Sequence, residues 1–278
     1  MKVLVTGANG MLGQDLCPIL EDEDFDVIET DINNLDITNM KQVEEVLQEN
    51  LPDYVVHCAA YTNVDKAEED RETAFKINEI GTKNLAVVCK KLDIPIVYIS
   101  TDYVFDGTKS GKYLPSDKTN PINVYGESKL AGEKAIQENE KYYIARTSWL
   151  YGHHGKNFVE TMISLKDKEE LKVVDDQVGC PTWTVELANG IVRLLLEEMP
   201  YGIYQICGSG HTSWYGFTSK IFELCGFNVN LKPCTTEEFP RPAKRPMNSI
   251  MENNKFCRKW ETALKEYIEL RCEWKVLF

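Results

Sequence analysis

Lys2-Val3-Leu4-Val5-Thr6-Gly7-Ala8-Asn9-Gly10-Met11-Leu12-Gly13 opens the chain. Lys2–Thr6 is apolar on both faces, as a strand buried inside a parallel sheet requires. The glycines follow at once, and from Met11 the apolar spacing changes to that of a helix, with Leu12, Leu16, Ile19 and Leu20 on one side. A strand, a glycine turn and a helix in that order present backbone N–H groups and a positive helix end to a pyrophosphate. Gly7, Asn9, Gly10, Met11, Leu12 and Gly13 are therefore the first candidate ligand residues. Their spacing is G-x-x-G-x-x-G, which differs from the commoner G-x-G-x-x-G. Asp31 follows the second apolar run, near where a carboxylate meets the adenosine ribose of a bound dinucleotide. No Lys or Arg lies between Ile32 and Met40 to meet a 2′-phosphate, so NADH is expected over NADPH.

Strand and helix patterns alternate outward from that turn. Strands are expected at Phe25–Thr30, Tyr54–Cys58, Ile94–Ser100 and Tyr142–Ala145, with helices at Met40–Glu49, Arg71–Leu92 and Gly126–Glu138. Such alternation predicts an α/β fold with a doubly wound parallel sheet of the Rossmann type. Past Trp149 the rhythm breaks into helices at Asn157–Leu165, Val185–Glu197, Trp214–Cys225 and Thr262–Glu273, with short strands at Leu171–Val174 and Tyr204–Cys207. A proline-punctuated loop holds Pro233, Pro240, Pro242 and Pro246. We expect a dinucleotide-binding domain over 1–150 and a smaller, mixed substrate-binding lobe over 151–278, with 185–207 returning to the first.

The remaining composition excludes whole classes. With 31 Lys and Arg against 44 Asp and Glu, the net charge is −13, which repels nucleic acid and anionic lipid. No apolar run is long enough for a membrane span, and the N-terminal one is too short for a secretory leader. Nine cysteines without close pairing suit a reducing compartment, so a cytoplasmic location is expected. The four histidines form no zinc pattern, and His153-His154 has no acidic partner nearby in sequence, so no metal ligand is assigned.

Tyr125-Gly126-Glu127-Ser128-Lys129 places a phenol and an ammonium one helical turn apart. An ammonium at ~4 Å and an effective dielectric of ~20 contributes about 4 kcal/mol, which would lower a phenol by roughly three pKa units. Tyr125 is thus the candidate proton donor, Lys129 its tuner, and Thr101 in Ser100-Thr101-Asp102 a hydroxyl able to orient a carbonyl. Arg241-Pro242-Ala243-Lys244-Arg245-Pro246 gathers cations in an acidic chain, and Arg241 is a candidate for a substrate phosphate.

Together these motifs resemble the extended short-chain dehydrogenase/reductases, and within them the dTDP-4-dehydrorhamnose reductase family. The likeness is carried by Ser100-Thr101-Asp102-Tyr103-Val104-Phe105-Asp106-Gly107, Cys58-Ala59-Ala60-Tyr61-Thr62-Asn63-Val64-Asp65, Arg146-Thr147-Ser148-Trp149-Leu150-Tyr151-Gly152, Asp176-Gln177-Val178-Gly179-Cys180-Pro181-Thr182 and Arg241-Pro242. It implies reduction of the 4-keto group of dTDP-6-deoxy-L-lyxo-4-hexulose to dTDP-L-rhamnose by NADH or NADPH. It also implies that Asp36 and Ile37 frame the adenine, that Cys58, Ala59 and Ala60 pass under the adenosine and ribose, that Thr62 and Val64-Asp65 flank the substrate or nicotinamide side, and that Asp102 and Trp149 face the dTDP-sugar. Some members are magnesium-bridged dimers; no ligands for magnesium are matched here, which leaves Mg2+, monomer and homodimer open. Rival readings on the same scaffold are another nucleotide-sugar reductase, an epimerase or a 4,6-dehydratase. The dehydratases carry Glu after the Thr-Asp pair, where this chain has Tyr103. A non-catalytic dinucleotide-binding subunit is a rival of another class.

Overall fold

The computed structural model describes residues 1–253 and 255–277, and of 272–277 the backbone alone. The first five strands are β1 (Lys2–Thr6), β2 (Asp26–Thr30), β3 (Tyr54–His57), β4 (Ile96–Thr101) and β5 (Tyr142–Thr147). Short strands follow: β6 (Leu150–Tyr151), β7 (Glu170–Val174), β8 (Val178–Gly179), β9 (Thr182–Trp183), β10 (Gly202–Gln205), β11 (Thr212–Ser213) and β12 (Asn230–Cys234). The central sheet has the order β10-β5-β4-β3-β1-β2, and every pairing in it is parallel. This is the doubly wound sheet expected from the alternation. The chain leaves β1 for β2 on one side and returns to β3 on the other, so a crevice opens above the carboxyl ends of β1 and β3.

Helices cover both faces, as two-sidedly apolar strands demand. On one face α1 (Gly13–Asp22) and α8 (Thr184–Leu196) pack Leu16, Leu20, Leu187 and Ile191 against Val3, Val5 and Val56. On the other, α2 (Met40–Asn50), α5 (Thr82–Leu92) and α6 (Val124–Ile136) bring Leu47, Leu85 and Ile136 onto Leu4, Ile96 and Ile144. A third core joins α7 (Phe158–Ser164), α9 (Trp214–Cys225) and α10 (Trp260–Leu277) around Phe217, Tyr151 and Tyr267, beside the parallel β7–β12 ribbon.

Several elements differ from the sequence reading: Pro233, expected in a loop, lies in β12, and β6, β8, β9 and β11 were not anticipated. Two further differences border the cleft. The helix expected over Arg71–Leu92 is α4 (Arg71–Phe75), then a π-helical turn over Lys76–Gly81, then α5. The wide turn carries Asn78, whose side chain is buried and hydrogen-bonded away from its own helix. The second difference is α3 (Val64–Glu69), which the pattern did not announce: it buries only Ala67 and starts on an Asn63 cap, where Oδ1 accepts from the Lys66 N–H.

The opening turn is fixed by backbone crowding. Gly7 has φ +67°, in the left-handed region, and a Cβ on Gly13 would lie 2.5 Å from the carbonyl oxygens of both Gly7 and Ala8. Gly13→Ala should therefore lower stability by about 1–3 kcal/mol, the usual range for overpacking. Chemical denaturation measures this, and an unchanged midpoint would show that the helix approaches the turn less closely than described.

Candidate active site

A cleft of about 670 Å³ lies over the carboxyl ends of β1, β3 and β4 and reaches Trp149 and Trp214. Gly7, Gly10, Met11, Leu12 and Gly13 form its near wall, and no side chain caps the first turn of α1. That helix end is thus disposed toward an anion. Asn9 stays on the exposed rim, where its N–H donates to Asp31 Oδ2 at 3.1 Å. Asp31, Asp36 and Ile37 line one end; Cys58, Ala59, Ala60, Thr62 and Val64 the middle; Thr101, Asp102, Tyr125, Lys129 and Trp149 the other. Among the described residues that line the cleft, Lys129 is the one Lys or Arg.

The chemistry-bearing end is built on α6 and β4. Asn123 caps α6 by accepting from the Gly126 N–H at 2.8 Å, so Tyr125 sits in the first turn and Lys129 one turn on. The Thr101 hydroxyl faces that of Tyr125 and lowers the phenol's pKa, and Thr101 Oγ1 donates to Asp102 Oδ1 at 3.1 Å. Asp102 is buried; burial lifts its carboxyl to about 6 against the pull of Ser249 and Thr101, and Oδ2 keeps no hydrogen bond of sound geometry. A buried polar atom so placed suits a hydroxyl or carbonyl arriving from the cleft.

The expected electrostatics are corrected here. Burial pushes the Tyr125 phenol up to about 12, with Thr101 lowering and Asp102 raising it, instead of a neighbouring ammonium pulling it down. Burial likewise takes Lys129 down to about 7, opposed by Glu133 and Cys58. Desolvation, absent from a pairwise reading of the sequence, outweighs the charge–charge attraction. Tyr125 is therefore a neutral phenol at pH 7, able to donate a proton.

Several contributors were invisible in the sequence. Asn78 Oδ1 accepts from the Tyr61 N–H at 2.8 Å, and Nδ2 donates to the Tyr61 carbonyl at 3.0 Å and Ser128 Oγ at 2.9 Å. It thereby ties the loop after β3 to the helix of Tyr125, which accounts for the π turn. Trp214 of α9 stacks on Trp149 with ring centroids 3.5 Å apart and planes within 3°, and both line the cleft. Trp149 holds this pose at φ +47°, a strained value for a side chain of its size.

Arg241 does not line the cleft. It is half exposed, and its Nε donates to Asp65 Oδ2 at 3.0 Å, so the cation expected for substrate is engaged by a carboxylate. Arg245 and the Ala243 N–H grip the same Asp65. Burial alone would raise that carboxyl, yet the donors from Arg245, Arg241 and Ala243 carry it down to about 2. The segment is a strap onto α3, and the deeper cation, Arg245, also contacts Tyr103 at the cleft wall. His154, without an acidic partner nearby in sequence, has Nε2 3.4 Å from the distant Asp15, and His153 stacks on Tyr267. Among the described residues, no cluster of three or more His, Cys, Asp or Glu is arranged to hold a metal ion, and no helix is long and apolar enough to cross a membrane.

Residues 1–271 match the family model described as the RmlD substrate binding domain. The chain belongs to the dTDP-4-dehydrorhamnose reductase family. It is 38% identical to a dTDP-4-dehydrorhamnose reductase of Aggregatibacter actinomycetemcomitans, over 95% of this chain and 97% of that one. Among solved structures it resembles a dTDP-4-dehydrorhamnose reductase from Clostridium acetobutylicum, with TM-score 0.95, 48% identity and coverage of 98% of this chain and 99% of the other. It also resembles the Bacillus anthracis reductase in complex with NADP, with TM-score 0.93, 44% identity and coverage of 97% and 99%. These three matches each cover 95% or more of this chain.

Tyr103 packs edge-on against Tyr125, with ring centroids 5.7 Å apart, and Arg245 reaches it from the strap. The wall behind Tyr125 is thus built from both halves of the chain.

Proposed function

We propose that this protein reduces the 4-keto group of dTDP-6-deoxy-L-lyxo-4-hexulose to give dTDP-L-rhamnose, with NADH or NADPH as reductant. The observation that carries the reading is the grouping of Tyr125, Thr101, Asp102 and Lys129 at the end of a cleft that begins at an uncapped helix and a carboxylate. The residues fit a dinucleotide: the first turn of α1 for the pyrophosphate, Asp31 for the adenosine ribose, Asp36 and Ile37 for the adenine, Cys58–Ala60 for the adjoining loop wall. When bound, the dinucleotide supplies the hydride. Lys129 holds a ribose hydroxyl, Thr101 keeps the keto oxygen in line, and Tyr125 gives that oxygen its proton. An alkoxide is a far stronger base than a phenolate, so a neutral phenol suffices for this step. Thr62, Val64, Asp102 and Trp149 face the sugar nucleotide, with 151–278 acting as the substrate lobe. A cytoplasmic location suits the free thiols and acidic surface.

Three measurements test this. Tyr125→Phe should cut NADH oxidation with the 4-keto sugar nucleotide by ~10²–10⁴ while leaving NADH affinity near the parent's; full activity in that variant removes Tyr125 from the chemistry. Lys129 lies below the ordinary lysine range, so its charge is present at acid pH and lost as pH rises through about 7. NADH affinity should accordingly fall by about tenfold or more between roughly pH 6 and 8.5, the scale of one charge-assisted hydrogen bond; fluorescence titration follows it, and Lys129→Met should flatten the curve. Finally, the Asp31 carboxylate disfavours a 2′-phosphate, so kcat/KM should be higher for NADH than for NADPH, and the reverse order would overturn that assignment.

A further inference from the structure

Behind the substrate end of the cleft stands an aromatic assembly that the steps above do not use. Trp214 opens α9, where Ser213 Oγ caps the helix by accepting from the Gly216 N–H at 2.9 Å. Its indole lies flat on that of Trp149, and Phe158 of α7 packs on it with ring centroids 4.4 Å apart. Its Nε1–H donates to Gln177 Oε1 at 3.2 Å, and Gln177 Nε2 donates onward to Thr236 Oγ1 at 2.9 Å. A hydrogen bond at the ring edge and a second ring against it fix Trp214 in rotation as well as in place. The Trp149 indole, by contrast, is held by packing: Trp214 covers it, and a Cβ on Gly179 of β8 would lie 2.5 Å from its Cε2 and Nε1.

We propose that Trp214, locked by Gln177, is a positioning residue for the sugar nucleotide: it holds the Trp149 indole in the pose that walls the substrate end of the cleft. The proposal rests on the reading of Trp149 as a residue that faces the sugar nucleotide. Trp149 has φ +47°, and a left-handed backbone at so large a residue persists only where its surroundings over-determine it. The stacked ring of Trp214 supplies that restraint from a different segment of the chain. The assembly is built on α7, α9 and the segments beside β8 and β12, whereas the residues assigned to the dinucleotide lie on β1, α1, β3, α6 and their loops. Substrate placement and dinucleotide binding can therefore be perturbed separately.

The test is steady-state kinetics with the 4-keto sugar nucleotide at saturating NADH, on Trp214→Leu, Trp149→Leu and the double variant. Trp214→Leu should raise KM for the sugar nucleotide about three- to tenfold, the range of a lost aromatic pair. Its kcat and NADH affinity should stay within about twofold of the parent's, as when binding shared by ground and transition states is lost. Because Trp214 acts through Trp149, the double variant should be no worse than Trp149→Leu alone. Effects that multiply, a KM equal to the parent's, or a loss of NADH affinity that matches the rise in KM each overturn the proposal. Should Trp214→Leu fail to fold, Gln177→Leu leaves the core of α9 in place and frees the edge of the indole. It should raise KM about twofold or more, the scale of one hydrogen bond, and again add nothing to Trp149→Leu; an unchanged KM in the folded variant overturns the proposal. If Trp149→Leu itself leaves KM unchanged, the reading of Trp149 falls and this one with it, and a parent that reduces no 4-keto sugar nucleotide removes the function proposed above.

Discussion

Charge withdrawn from water needs partners already waiting for it, and the floor of the cleft is organised around that need. Lys129 lies over the face of Tyr98, with the neutral His57 beneath. His57 in turn is pinned between Thr6 of β1 and Thr82 of α5. Deeper still, Arg146 on β5 neutralises Glu133 of α6. The polar groups come from β1, β3, β4, β5, α5 and α6, so satisfying them registers the sheet against its helices. A cluster of this kind adds little to net stability; its return is a single geometry for the groups above it.

The period of a strand explains how one short run serves both levels. Ser100 and Thr101 are neighbours at the end of β4 and so point to opposite faces. Ser100 reaches Glu133 on the helix side, whereas Thr101 meets Asp102 and Tyr125 in the cleft. A register slip of one residue would exchange them and break the Ser100–Glu133 and Thr101–Asp102 hydrogen bonds together. The sequence shows two hydroxyls side by side; only the pleat tells them apart.

What was legible in the chain was local. The glycine turn, Asp31, the Tyr125–Lys129 spacing and the alternation of strands and helices each depend on residues a few positions apart. Each is in place: the strand order follows, and the assigned residues except Asn9, Asp65 and Arg241 share the cleft lining. The π turn was not legible because its cause, the Asn78 clamp on Tyr61 and Ser128, joins three distant segments. Trp214 and Glu133–Arg146 were hidden for the same reason. In the run of Arg241, Lys244 and Arg245 nothing local ranks the cations, and Asp65, far upstream, decides which are engaged. The phenol's acidity was misjudged on other grounds: spacing gives a charge–charge distance but no measure of burial.

That misjudgement bears on the direction of the chemistry. A phenol drawn down toward neutrality would exist partly as phenolate and could accept a proton, which suits oxidation of an alcohol. Burial instead holds Tyr125 at about 12, so the donor is loaded at every physiological pH. Asp102 supports this, since a neighbouring carboxylate opposes a second negative charge on the phenol. In the proposed reaction an alkoxide forming beside Thr101 would meet a proton already present, and the phenolate left behind would lie one turn from the ammonium of Lys129. Burial and Asp102 both disfavour that phenolate, so the site is driven back to the protonated form from which the next ketone would be reduced.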